Sequence, residues 1–208
     1  MILLGLTGSI GMGKTTAVGA FASCGIPIFE ADAVTHDLLG LNGAALPIVM
    51  RVFPEAVSNG LIDRTKLGDV VFRDGGALQK LEGIIHPLVS DQEQAFKAQA
   101  AADGCWLAVF DIPLLFETGA SHRFDYIAVV SAPASIQRTR VLKRAGMTEE
   151  KFEAIIARQV PDQVKRCKAD FVIDTGSGKR RTVQHIQRII EDLRLSDNSR
   201  QSEGGKRA

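Results

Sequence analysis

Apolar residues along the chain fall into two alternating patterns. Short continuous runs occur at Ile2 to Leu6, Ile26 to Phe29, Trp106 to Phe110, Tyr126 to Val130 and Phe171 to Ile173, mostly β-branched or aromatic, each followed by a small or polar residue. Runs of this kind suit strands buried on both faces, as in a parallel sheet. Between them the spacing is helical. Thr15 to Ser23 and Ala134 to Arg144 read as helices, and Val183, Ile186, Ile189, Ile190 and Leu193 mark one face of a helix near the C-terminus. The alternation predicts an α/β domain with helices covering a mostly parallel sheet.

The second and third strands are separated by about 75 residues, more than a crossover needs. Several helix-like segments lie there, so an inserted helical subdomain is expected at about residues 58–104 of a single domain spanning 1–208. Residues 196–208 are polar and predict a disordered tail. The chain has 208 residues with 25 Lys plus Arg against 24 Asp plus Glu, a formal net charge of +1. That balance and the lack of a basic stripe argue against a nucleic-acid binder. No apolar run is long enough to span a membrane, and Met1 to Leu6 lacks the basic flank of a signal peptide. Cys24, Cys105 and Cys167 are odd in number and widely spaced, which predicts reduced thiols, small core residues and a cytoplasmic setting. A monomer is the expected state.

The sharpest chemical signal is Gly8-Ser9-Ile10-Gly11-Met12-Gly13-Lys14-Thr15, a GxxxxGK[ST] loop between the first strand and the first helix. Glycines let successive backbone N–H groups turn inward around phosphate oxygens, and the following helix adds its positive end. Lys14 supplies a mobile charge for the β and γ phosphates, and the Thr15 hydroxyl suits Mg²⁺. Binding of a nucleoside triphosphate follows, but a kinase, a GTPase and a motor all remain open.

Two carboxylates follow strands. Asp32 is placed to orient an acceptor hydroxyl and take its proton, to hold Mg²⁺ through water, or equally to cap the next helix. Asp111 is placed near Mg²⁺ or is a turn former before Pro113. Arg138, Arg140, Lys143 and Arg144 lie on a helix that meets a second, reaching Arg158, at Gly146. Inward arginines there would make a lid over ATP, at about residues 138–160; the alternative for each is a solvated basic face.

These segments resemble the dephospho-CoA kinase family over nearly the whole chain to about Thr175. LTGSIGMGKTT looks like its phosphate loop, and EADAVTH at Glu30 to His36 is similar to its second-strand motif. NGLIDRTKLGDVVFRD at Asn59 to Asp74, IIHPLV at Ile84 to Val89 and DIPLLFE at Asp111 to Glu117 resemble further motifs, as do RVLKRAGMT, RQVP and KADFVID. Departures from the family pattern are Glu30, Ala145, Ile155 and Thr175.

The resemblance implies a P-loop NTPase core with a parallel five-stranded sheet, a helical CoA-binding insertion and a helical lid. It implies transfer of the ATP γ-phosphate to the ribose 3′-hydroxyl of dephospho-CoA. Asp32 would be the catalytic base, with Lys14 and Arg140 acting on the transferring group. Gly8, Gly11, Met12, Gly13, Lys14, Thr15, Thr16 and Arg144 would hold ATP, and Thr15 and Asp111 would hold Mg²⁺. Arg64, His86, Leu114 and Leu115, with Asp32, would meet the acceptor, although His86 also reads as a brace for a His-Pro turn. A nucleoside monophosphate or shikimate-type kinase would share the core but not the insertion motifs. A GTP-binding switch would need an NKxD-type motif, and none is found.

Overall fold

The computed structural model describes residues 1–204. In chain order the elements are β1 (Ile2–Thr7), α1 (Lys14–Ser23), β2 (Ile28–Glu30), α2 (Ala31–Leu38), α3 (Leu46–Val52), β3 (Val57–Ser58), β4 (Leu61–Ile62), α4 (Arg64–Arg73) and α5 (Gly75–Ala102). Then follow β5 (Leu107–Asp111), β6 (Tyr126–Ser131), α6 (Ala134–Leu142), α7 (Glu149–Ala157), α8 (Asp162–Lys168), β7 (Phe171–Asp174) and α9 (Lys179–Gly204). All five apolar runs become strands, displaced by at most two residues at either end.

The chain divides into two compact units, Met1–Phe29 with Ala100–Ala208, and Glu30–Gln99. The first is built on a five-stranded sheet in the order β2-β5-β1-β6-β7. β1 lies between β5 and β6 and runs parallel to both, and β6 runs parallel to β7. The sequence leaves β1 for strands on both sides, so the loop after β1 stands at the switch point, where α/β sheets place their ligands. Ile2, Leu4, Leu6, Leu107, Val109, Ala128, Val130 and Ile173 pack with Phe21 of α1 and Ile186, Ile189 and Leu193 of α9. The C-terminal stripe seen in the sequence is thus the inner face of α9.

The tail expected from Ser196 is instead helical to Gly204, and residues 205–208 lie outside the described residues. A helix already anchored by its buried stripe extends at little cost per residue, even through polar positions. Ser196 accommodates itself by donating its hydroxyl to the Asp192 carbonyl at 3.0 Å.

The second unit begins about 28 residues before the expected insertion. The reason is packing: Leu38, Val49 and Phe53 share one core with Leu67, Ala77 and Ile85. Its NGLIDR segment is a small folding device. Asn59 and Gly60, both at positive φ (52° and 76°), form the two-residue turn between β3 and β4. Asp63 caps α4 by accepting N–H bonds from Thr65 (3.0 Å) and Lys66 (3.1 Å). His86 and Pro87 lie inside α5 and not at a turn, so the bracing role read for His86 has no turn to brace. Ile84, Ile85, Leu88 and Val89 pack into the unit's core, which carries the helix through the proline.

Candidate active site

The loop between β1 and α1 has a shape only glycine permits. Gly13 sits at φ 88° and its missing Cβ would stand 2.9 Å from the Thr175 hydroxyl. A Cβ on Gly8 would stand 2.3 Å from Val130. Thr16 and Ala17 N–H bond back to the Gly13 carbonyl and start α1. The N–H groups of the helix's first turn have no intrahelical acceptor and, with the helix dipole, favour an anion. Met12 is turned away: its side chain is buried, its thioether accepts from Ala132 N–H, and its own N–H bonds to Ser9. Of the residues expected on ATP, Met12 therefore offers no free side chain.

Lys14 extends from the loop to Asp111 at the end of β5, with Nζ 2.5 Å from Oδ1. Asp111 is buried in register with Leu6 on β1. The pair holds an ammonium at the mouth of the loop, and Thr15 is exposed beside it in sequence. The strand-end segment is tied to β1 by Ile112 N–H to Leu6 O and by the Thr7 hydroxyl to Pro113 O.

Of the cationic residues on α6, Arg140 alone reaches the loop. Its guanidinium donates to the Thr175 carbonyl (2.7 Å) and hydroxyl (3.1 Å) and lies 3.5 Å from the Gly11 carbonyl. The Thr175 hydroxyl in turn donates to the Met12 carbonyl at 2.5 Å. Arg138 instead pairs in bidentate fashion with Glu149 on an exposed surface, joining α6 to α7, and Arg144 is exposed. Arg140 is thus the arginine of this group that meets the loop, while Arg144 is open to solvent. Thr175 was visible in the sequence only as a departure; here it links Arg140 to the loop.

Leu114 is exposed, but Leu115 is fully buried against Ile127 and Val129, so an acceptor contact by Leu115 is corrected to a core role. Asp32 lies in the first turn of α2, exposed, two residues past the end of β2. Glu30 occupies the N-cap position without a side-chain cap bond, so the capping alternative for Asp32 falls away. In the same unit, Arg64 donates to the His36 carbonyl at 2.7 Å, and His86 is exposed. The three cysteines are free; Cys24 and Cys167 are exposed rather than in the core.

Sequence reading missed a buried ion pair below α8. Lys165 is fully buried, 2.7 Å from Glu117 Oε1, which also accepts the Val160 N–H at 2.9 Å. Burial acts to raise the Glu117 pKa, but the Lys165 and backbone hydrogen bonds, with the Lys165 charge, outweigh it. The carboxyl is held below the ordinary value of 4.5. Lys165→Met leaves the partly exposed carboxylate with the Val160 N–H alone and is expected to destabilise the fold by about 1–3 kcal/mol. Urea unfolding checks this, and Lys165→Met with Glu117→Leu should recover most of the loss. A depressed carboxyl stabilises above its unfolded pKa, so the wild type's advantage over Glu117→Gln should fade as pH drops below that ordinary value.

Comparison with known proteins agrees with this geometry. The dephospho-CoA kinase family profile matches residues 2–180, spanning every strand of the five-stranded sheet and the whole second unit. The dephospho-CoA kinase of Mesorhizobium japonicum is 52% identical over 194 residues, 93% of this chain and 98% of that protein. That of Brucella melitensis is 51% identical over 193 residues, 93% of this chain and 96% of that protein. A solved structure from Thermus thermophilus superposes with a TM-score of 0.82 at 30% identity, covering 92% of this chain and 97% of that one. A phosphate loop, a strand-end aspartate paired with its lysine, and a match running through both units place this chain in the dephospho-CoA kinase family.

Proposed function

We propose that the chain transfers the γ-phosphoryl group of ATP to the 3′-hydroxyl of the ribose of dephospho-CoA, giving CoA and ADP. The observation that carries this is the family match over residues 2–180, because it includes the Glu30–Gln99 unit and not the phosphate loop alone. Loop amides and Lys14 take the triphosphate, Thr16 and Arg144 stand among the nucleotide contacts, and Asp32 accepts the proton of the acceptor hydroxyl. An exposed aspartate at a helix start can receive that proton without first leaving a buried pair. Arg140 acts through Thr175 on the loop in addition to any charge it offers the phosphates. Arg64, His86 and the exposed Leu114 are assigned to the acceptor.

Thr15 and Asp111 fit Mg²⁺: both are hard oxygen donors, and a phosphate-bound Mg²⁺ takes only one or two protein ligands. Among the described residues no cluster of three or more His, Cys, Asp or Glu could hold a metal ion. Bound there, Mg²⁺ would neutralise charge on the β and γ phosphates. No helix among the described residues is long and apolar enough to cross a membrane. A cytoplasmic setting belongs to this reading, since a reducing compartment keeps three free thiols as they are.

The test is ADP release by purified protein with ATP and Mg²⁺, offered dephospho-CoA, nucleoside monophosphates, shikimate or no acceptor. Acceleration by dephospho-CoA alone is expected. A rate indifferent to dephospho-CoA, or one driven by shikimate, overturns the assignment.

A further inference from the structure

One residue of the phosphate loop, Ile10, is held by side chains at both its N–H and its carbonyl. Ile10 N–H donates to Gln159 Oε1 at 3.1 Å, and Gln137 Nε2 donates to the Ile10 carbonyl at 2.8 Å. An N–H can only donate and a carbonyl can only accept, so what each amide faces fixes its orientation. Gln137 lies on α6 and is buried, unusual for glutamine unless its hydrogen bonds are met inside. Gln159 lies two residues past Ala157, the end of α7, next to the C-cap residue Arg158. Both helices of the α6–α7 pair therefore hold opposite ends of the same loop residue. The Gln137 main chain is close as well: a Cβ on Gly11 would stand 3.0 Å from its carbonyl oxygen.

We propose that Gln137 and Gln159 are positioning residues of the nucleotide site, acting through Ile10 to set the direction of the loop's peptide groups. The proposal rests on the phosphate loop holding ATP, as in the function above. Without the grip, the Ile10–Gly11 peptide can rotate and present the Ile10 carbonyl oxygen, rather than the Gly11 N–H, toward phosphate. A fixed ring of donors binds an anion without spending binding energy on ordering the loop. The sequence carried a faint signal: Gln137 lies four residues before the buried Val141, on the same face of α6.

The complementary orientations make a test of opposite signs. A carboxylate can still accept from the Ile10 N–H but can only repel the Ile10 carbonyl. Gln159→Glu is therefore expected to retain ATP affinity within about threefold, while Gln137→Glu weakens it by about tenfold or more. Gln159→Leu and Gln137→Leu, which leave one polar group of Ile10 unmet, are each expected to weaken it by about tenfold. The measurements are calorimetric Kd for ATP with Mg²⁺, KM for ATP and for dephospho-CoA, and thermal melting as a folding control. KM for ATP should follow the Kd values while KM for dephospho-CoA stays put. Equal behaviour of the two Glu variants, or a parallel rise of both KM values, overturns the proposal. If Gln137→Glu does not fold, the contrast between Gln159→Glu and Gln159→Leu decides it: rescue by Glu supports the grip and no rescue refutes it. A wild type that fails to bind ATP refutes the underlying function instead, whereas a wild type that binds beside four unchanged variants refutes only this inference.

Discussion

Lys14→Ala is expected to cut phosphoryl transfer by roughly three orders of magnitude or more. Removing a single preorganised donor from a developing charge costs roughly 10²–10³ in rate. Lys14 is a full charge, and Arg140, the neighbouring cation, is already engaged by the Thr175 carbonyl and hydroxyl. The structure adds a second consequence. Asp111 is buried and loses the ammonium it pairs with at 2.5 Å, so the variant should also unfold more readily. For a part-buried pair of this kind the cost is about 1–3 kcal/mol.

A dead and unstable variant would not by itself place Lys14 on the phosphates. Because Asp111 is also assigned to Mg²⁺, the double variant Lys14→Ala with Asp111→Asn separates the two effects only when read against Asp111→Asn alone, which should keep more turnover than the double variant. Removing the stranded charge should restore most of the melting temperature and none of the turnover. Recovery of activity together with stability would mean that Lys14 serves the fold through Asp111 and not the transferring group. Single-turnover ADP formation and urea unfolding on the same preparations decide between them.

What the sequence disclosed follows from how directly each feature depends on residue type. Strands buried on both faces must be apolar throughout, so β1, β5 and β6 stand out from composition alone. The phosphate loop was equally plain, because its geometry excludes side chains at Gly8 and Gly13. Side-chain direction was harder. Arg138 and Arg140 are two residues apart on one helix, about 200° around its axis, and so cannot both face inward. One pairs with Glu149 and the other with Thr175. Leu114 and Leu115 divide in the same way, one exposed and one in the core.

Context that acts at long range was not legible. Lys165 is buried only because Glu117, far away in sequence, meets it beneath α8. Proline at 87 argued for a helix end, since it removes a donor and restricts its predecessor. The apolar residues on both sides of it overrode that preference by packing into one core. The grip on Ile10 lies in the same class. Neither glutamine belongs to the loop motif, and only the packing of α6 and α7 beside the loop gives them a role.

Asp32→Asn is the second large effect, and its interest is that almost nothing else should change. Asp32 is exposed in the first turn of α2, so asparagine fits the same space. Loss of a negative charge at a helix N-terminus costs about 0.3–1 kcal/mol of stability. A missing general base, by contrast, costs roughly two to four orders of magnitude in rate, or about 3–5 kcal/mol of barrier. The catalytic effect therefore exceeds the structural one severalfold, and the two can be read separately from kcat and from melting. Calorimetric ATP affinity should stay within a few-fold of wild type, because the phosphate loop does not draw on this residue. Collapse of ATP binding would show that Asp32 holds metal or nucleotide. Near-normal kcat would show that the acceptor hydroxyl gives up its proton elsewhere, which the loose transition state of phosphoryl transfer allows in principle.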